Sequence, residues 1–117
     1  MLIAQNKILR DHKGMSDAEL PIPLDREKIA AFCRARGIRK LSLFGSVLRG
    51  DFDPARSDVD VLAEFAPDAL KGVGFRYFGY GEELARILGR KVDFCSRLNP
   101  YIEAEVRREA LAIYERA

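Results

Sequence analysis

The sequence predicts an α/β fold, a small sheet backed by helices, on three observations. Apolar residues recur at three and four positions through Ile29, Phe32 and Cys33, and again through Leu84, Ile87 and Leu88, which is the period of an amphipathic helix. Residues 40–44, 58–65 and 91–94 read as strands, the middle one with strict alternation. Gly37 and Gly89 close the two helical stretches shortly before a strand begins.

The chain has 117 residues, enough for one compact domain with a core of its own and too few for a second domain of any size. Cys33 and Cys95 stand far apart with no C-x-x-C pair, so neither a zinc site nor a redox motif is suggested. No apolar run reaches the length of a membrane span, and the N-terminus lacks the apolar stretch of a signal peptide, so a cytoplasmic protein is expected. With 20 basic and 18 acidic residues the net charge is +2, which gives no indication of direct nucleic-acid binding.

Residues 1–24 read as an N-terminal extension and 25–117 as the folded domain. In the extension Gly14, Pro21 and Pro23 interrupt any period, the capping-box spacing of Ser16 and Glu19 is cut short by Pro21, and His12 has no evident role. Asp25 is placed to cap the first helix. After the first strand, Gly45-Ser46 and Arg49-Gly50 mark a turn, and Asp51 and Asp53 read as turn residues. In the strand 58–65, Val59, Val61, Ala63 and Phe65 share one face and Asp58, Asp60, Leu62 and Glu64 the other. Val92 and Phe94 face the core from the third strand, with Asp93 on the opposite side. Asn99 and Pro100 suit the N-cap and first turn of a last helix, whose stripe of Ile102, Val106, Ala110 and Ile113 predicts a helix running to the C-terminus.

The chemistry rests on acids and a turn. Asp58 and Asp60, two apart on one strand, project from the same face, where they can share a pair of magnesium ions whose coordination is completed by water and triphosphate. Asp93 completes a triad if its strand pairs beside theirs, and can then take the proton of an acceptor hydroxyl. Gly45 and Ser46 sit at a strand end, where free amides and a hydroxyl can hold phosphate, and Arg49 is placed to reach the same oxygens.

The order FGSVLRGD at 44–51, SDVDVL at 57–62, GRKVDF at 89–94 and the end from NPYI at 99–102 to Tyr114 resembles the minimal nucleotidyltransferases of the polymerase-beta-like superfamily. That resemblance spans residues 25 to 115 and implies a polymerase-beta-type palm with a small mixed sheet. It also implies Gly45 and Ser46 for triphosphate binding, Asp58 and Asp60 for metal, and Asp93 for metal and general base. Members often pair with a HEPN-class RNA-cleaving toxin and act as its antitoxin by adding adenylate from ATP to a tyrosine. A hetero-oligomer with such a partner is therefore expected. Two rivals stay open: an antitoxin that only binds, and a transferase for small molecules completed by a second subunit.

Other conspicuous residues have blander readings. Glu64, nearer the strand end, reads as solvated rather than ligating. Phe75, Tyr77, Phe78 and Tyr80 read as core or partner surface before base-stacking, and Tyr101 and Tyr114 as further candidates for a partner face. Cys33 and Cys95 read as small buried hydrophobes, and the run Arg34, Arg36, Arg39, Lys40 as a solvated basic edge. The glycines and aromatics of 72–81 depart from the family pattern and leave the start of the second helix open.

Overall fold

The computed structural model describes residues 20–116. The capping-box reading at Ser16 and Glu19 and the reading of His12 lie outside the described residues. The first helix, α1 (Arg26–Arg36), starts where the Asp25 carboxylate accepts from the Lys28 amide at 3.1 Å and stops at Gly37, whose φ of 73° lets its own N–H turn back to the Arg34 carbonyl. Ile29, Phe32 and Cys33 form its buried stripe, and Ile22, just upstream, is buried in the same core.

Strand β1 (Ile38–Phe44) pairs antiparallel with β2 (Val59–Phe65), with Leu41 opposite Ala63 and Leu43 opposite Val61. A register shift between Ile38 and Lys40 lets Ile38 and Leu41, three residues apart, both reach the core. A 3-10 run (Gly74–Gly79) leads into α2 (Tyr80–Leu88), and the chain returns as β3 (Val92–Cys95) parallel to β2. A helical crossover is what parallel neighbours require. The last helix, α3 (Pro100–Glu109), carries the chain to β4 (Leu111–Glu115) on the far edge, giving the order β3-β2-β1-β4. The fold is the expected α/β architecture, a small mixed sheet of four strands with helices.

One face of this sheet is the core. Leu41, Leu43, Val59, Val61 and Ala63 meet Ile29, Phe32 and Cys33 of α1 and Tyr80, Leu84 and Leu88 of α2. The Gly72–Gly81 segment has a packing reason: Tyr77, Tyr80, Phe65 and Phe94 form one aromatic cluster with centroids 5.7–6.5 Å apart. Gly81 fits closely against it: a Cβ there would lie 3.1 Å from that of Phe94, tighter than an ordinary contact. Phe75 and Phe78 stay outside, 90% and 74% exposed.

The C-terminal stripe is a correction to the sequence reading. The helix ends at Glu109; Ala110 turns extended at φ −63°, ψ 143°, and residues 111–115 pair with β1 instead. The stripe was misleading because α3 buries none of its residues, Ile102 being 49% exposed, whereas Ile113 enters the core from β4. The ion pair from Arg107 to Glu64 (3.3 Å) ties α3 to the sheet face opposite the core, and Arg107 also pairs with Glu103 one turn earlier in its own helix (2.8 Å). Among the described residues no helix is long and apolar enough to cross a membrane.

The two isoleucines of that stripe separate the alternatives. Ile113→Ala is expected to cost about 2–5 kcal/mol, the range for a truncated core isoleucine. Ile102→Ala should stay within about 0.5 kcal/mol, as exposed positions do. Urea unfolding of both variants measures the difference; equal losses would restore a continuous buried helical stripe.

Candidate active site

The face opposite the core gathers the acids. β2 presents Asp60 and Glu64 there, and the parallel register sets Asp60 beside Asp93 and Leu62 beside Cys95. Asp58 precedes β2 by one residue and stands exposed, close enough for its charge to act on Asp60. The three aspartates expected from sequence are therefore neighbours, with the half-buried Asp60 at their centre.

Electrostatics follows from that placement. Burial raises the Asp60 carboxyl above its ordinary value, the charges of Asp93 and Asp58 raise it further, and a carboxyl–carboxyl hydrogen bond with Asp93 adds to the shift. Arg49 opposes them from the turn after β1, although its own side chain is exposed. Like charges set side by side on a sheet repel.

The Gly45-Ser46 turn closes on this group. β1 stops at Phe44, a single 3-10 turn (Gly45–Leu48) follows, and Gly45 has φ 80°. A Cβ on Gly45 would lie 2.2 Å from Asp60 Oδ2, so the backbone passes directly against the carboxylate and only glycine fits. Ser46 is half-buried and Arg49 ends the turn, its amide bonding the Ser46 carbonyl at 3.0 Å. The loop beyond is held by its own residues: Asp53 accepts from the Ala55 amide at 2.9 Å, and the Ser57 hydroxyl accepts from the Asp53 amide at 3.0 Å. Asp53 is thus a turn residue, as its sequence context implies.

Among the described residues no three carboxylate, thiol or imidazole groups enclose a metal ion by themselves. The paired carboxylates of Asp60 and Asp93 still suit magnesium, which keeps several waters and takes its remaining oxygens from substrate. Two cavities, about 710 and 500 Å³, lie on the helical side around Arg36, Glu83 and Arg86, and none of the three aspartates lines either. The acids stand on an open face.

A model of the nucleotidyltransferase domain matches residues 26–115. The chain belongs to that family. A solved minimal nucleotidyltransferase is 31% identical over 74% of this chain and 86% of its own, with a TM-score of 0.59. A toxin–antitoxin structure with AMP-PNP is 21% identical, at TM-score 0.59 over 80% of this chain and 75% of that one. A mutant of the toxin–antitoxin MntA-HpeT, with two aspartates two positions apart changed to glutamate, is 17% identical at TM-score 0.56, with the same coverage. At those identities the last two show the shared fold. Comparison with the curated proteins gave no match.

Several residues of this nucleotidyltransferase lie elsewhere than expected. Glu64 is paired with Arg39 at 3.5 Å and Arg107 at 3.3 Å rather than simply solvated. Arg36 of the basic run is spent on Glu83 and stacks over Phe32 and Tyr80. Tyr80 and Tyr114 pack with the core, while Tyr101 is 96% exposed. Cys33 matches its reading, fully buried with its thiol pushed up to about 12 by burial. Cys95 does not. It faces the acids, its Sγ 3.9 Å from Asp93 Oδ1, and burial together with the Asp93 and Asp60 charges raises its thiol. Its position two after Asp93 was the signal available in the sequence, since alternation puts both on one face.

The raised Asp60 carboxyl gives a pH prediction. The folded chain holds a proton there that the unfolded chain releases, so stability falls as pH rises from the ordinary aspartate range through the folded value. Asp60→Asn lacks that slope. In magnesium-free buffer it should melt higher than wild type near neutral pH, with the advantage vanishing in acid; thermal melts from about pH 3 to 8 read it. Gly45→Ala should lose about 1–3 kcal/mol from its backbone conformation alone, seen in the same melts.

Proposed function

We propose that this chain is a magnesium-dependent transferase that moves AMP from ATP onto a hydroxyl of a partner protein, and that the partner is a HEPN-type RNA-cleaving toxin it neutralises. The observation that carries the reading is the Asp60–Asp93 register on an open face, with the Gly45-Ser46 turn in contact with Asp60. Support for the nucleotide comes from the solved relative holding AMP-PNP, and support for the partner from the two toxin–antitoxin relatives.

In this mechanism the Ser46 hydroxyl and the amides of the turn donate to the triphosphate oxygens, and Arg49 adds a charged donor. Asp58, Asp60 and Asp93 would hold two magnesium ions, which when bound offset the negative charge of the triphosphate and of the departing pyrophosphate. Asp93, exposed at the edge strand, accepts the proton of the acceptor hydroxyl. The acceptor oxygen then bonds to the α-phosphorus as the bond to pyrophosphate breaks, in line. Asp58 and Asp93 are exposed and line neither of the two cavities described above, so a protein surface suits the acceptor better than a small molecule, which would need walls around it.

The test is incubation with ATP, magnesium and the product of the adjacent gene, followed by intact-mass measurement. Wild type should add one or more AMP masses to the partner and Asp60→Asn none, while Ser46→Ala should weaken ATP binding in calorimetry by about 1.5–3 kcal/mol. A partner neutralised with unchanged mass would replace this reading with a binding antitoxin; labelled small hydroxyl compounds would replace it with a small-molecule transferase.

A further inference from the structure

The thiol of Cys95 has no part in the mechanism above, yet its surroundings hold it in one place. Its strand is fixed on one side by the pairing of Cys95 with Leu62, which is fully buried. Immediately after it, the Ser96 hydroxyl is hydrogen-bonded to the Tyr77 hydroxyl at 2.6 Å, and Tyr77 packs on Phe94. The backbone at Cys95 is therefore clamped between a core-packed neighbour strand and an aromatic cluster. Alternation then sends its side chain to the face that carries Asp93, and Sγ comes to 3.9 Å from Asp93 Oδ1, a length that the large radius of sulfur allows for an S–H donor.

Asp93 needs such a neighbour. It is exposed on the edge strand, and the carboxyl it meets there, that of Asp60, is a group of the same charge. We infer that Cys95 is a positioning residue for nucleotidyl transfer: its thiol donates to Asp93 Oδ1 and holds that carboxylate in one orientation, leaving Oδ2 to meet the acceptor. This rests on the function proposed above. The triphosphate turn lies across β2 on β1, so the thiol acts on the acceptor side of the reaction and not on ATP binding.

Two measurements test it, one independent of any activity. Infrared spectra of the magnesium-free protein resolve S–H stretches, and Cys33→Ala leaves the Cys95 band alone. That band should lie at the lower frequency of a bonded thiol and move to the free-thiol position in Asp93→Ala. A free-thiol band in the wild-type background overturns the inference whether or not the protein transfers nucleotide. In the transfer assay, Cys95→Ala should lower kcat about three- to tenfold, the scale of one ordinary hydrogen bond, with KM for ATP and the melting temperature unchanged. Cys95→Ser, which keeps a donor, should recover most of the rate. Unchanged kcat in Cys95→Ala, or a serine variant as slow as the alanine variant, overturns it. A bonded thiol in a wild-type protein that labels no acceptor would instead bring down the transferase reading, and the positioning role with it.

Discussion

Everything distinctive about this molecule depends on one register, the parallel pairing that sets Asp60 beside Asp93. A sheet does not gain from that juxtaposition, because adjacent like charges repel and the inner one is half-buried. The register is imposed from the other face. Val59 and Val61 pack into the core beneath Asp60, and Phe94 packs beneath Asp93 against Tyr77 and Tyr80. A slip by one residue would turn these apolar side chains to water and the acids into the core, so burial of the apolar set outweighs the repulsion. Gly45 belongs to the same constraint, since the turn can approach the Asp60 carboxylate only without a side chain. The site is thus a strained surface feature on a well-packed base, the arrangement expected where function and stability conflict.

Where local rules decide the structure, the sequence is readable. Asp25, Gly37, Gly89, Asn99 and Pro100 mark helix ends through interactions with residues a few positions away, and all stand at the ends they signal. The alternation of 58–65 fixes which face each aspartate takes, and the structure keeps Asp60 and Glu64 away from the core. What failed depends on distant partners. Val106, Ala110 and Ile113 fit a helical period as well as Leu111 and Ile113 fit a strand, and no glycine or proline intervenes. The choice is made by the open edge of β1, some 70 positions earlier in the chain, which pairs with residues 111–115.

The same distinction accounts for the charged and aromatic residues. Composition offers Arg36 and Arg39 as a basic edge, but Arg36 caps the join of α1 and α2 through Glu83 and two rings, and Arg39 answers Glu64 across the strands. Of four aromatics in one short segment, Tyr77 and Tyr80 are core because α2 follows them onto Phe65 and Phe94, while Phe75 and Phe78 are left on the surface by the tight 3-10 run. No local pattern separates those pairs; the packing of β3 does.

The topology also sets how open each acid is to solvent. β3 is an edge strand, so Asp93 has the sheet on one side and solvent on the other, while Asp60 is hemmed in by both neighbours and by the Gly45 turn. The two carboxylates therefore differ in access despite sharing a register. The enclosed one lies against the turn, and the open one looks outward. α3 crosses from one edge strand to the other, with Arg107 on Glu64 at the opposite end of β2 from Asp60. Phe75 and Phe78, both exposed, stand on the segment that Tyr77 fastens to Ser96.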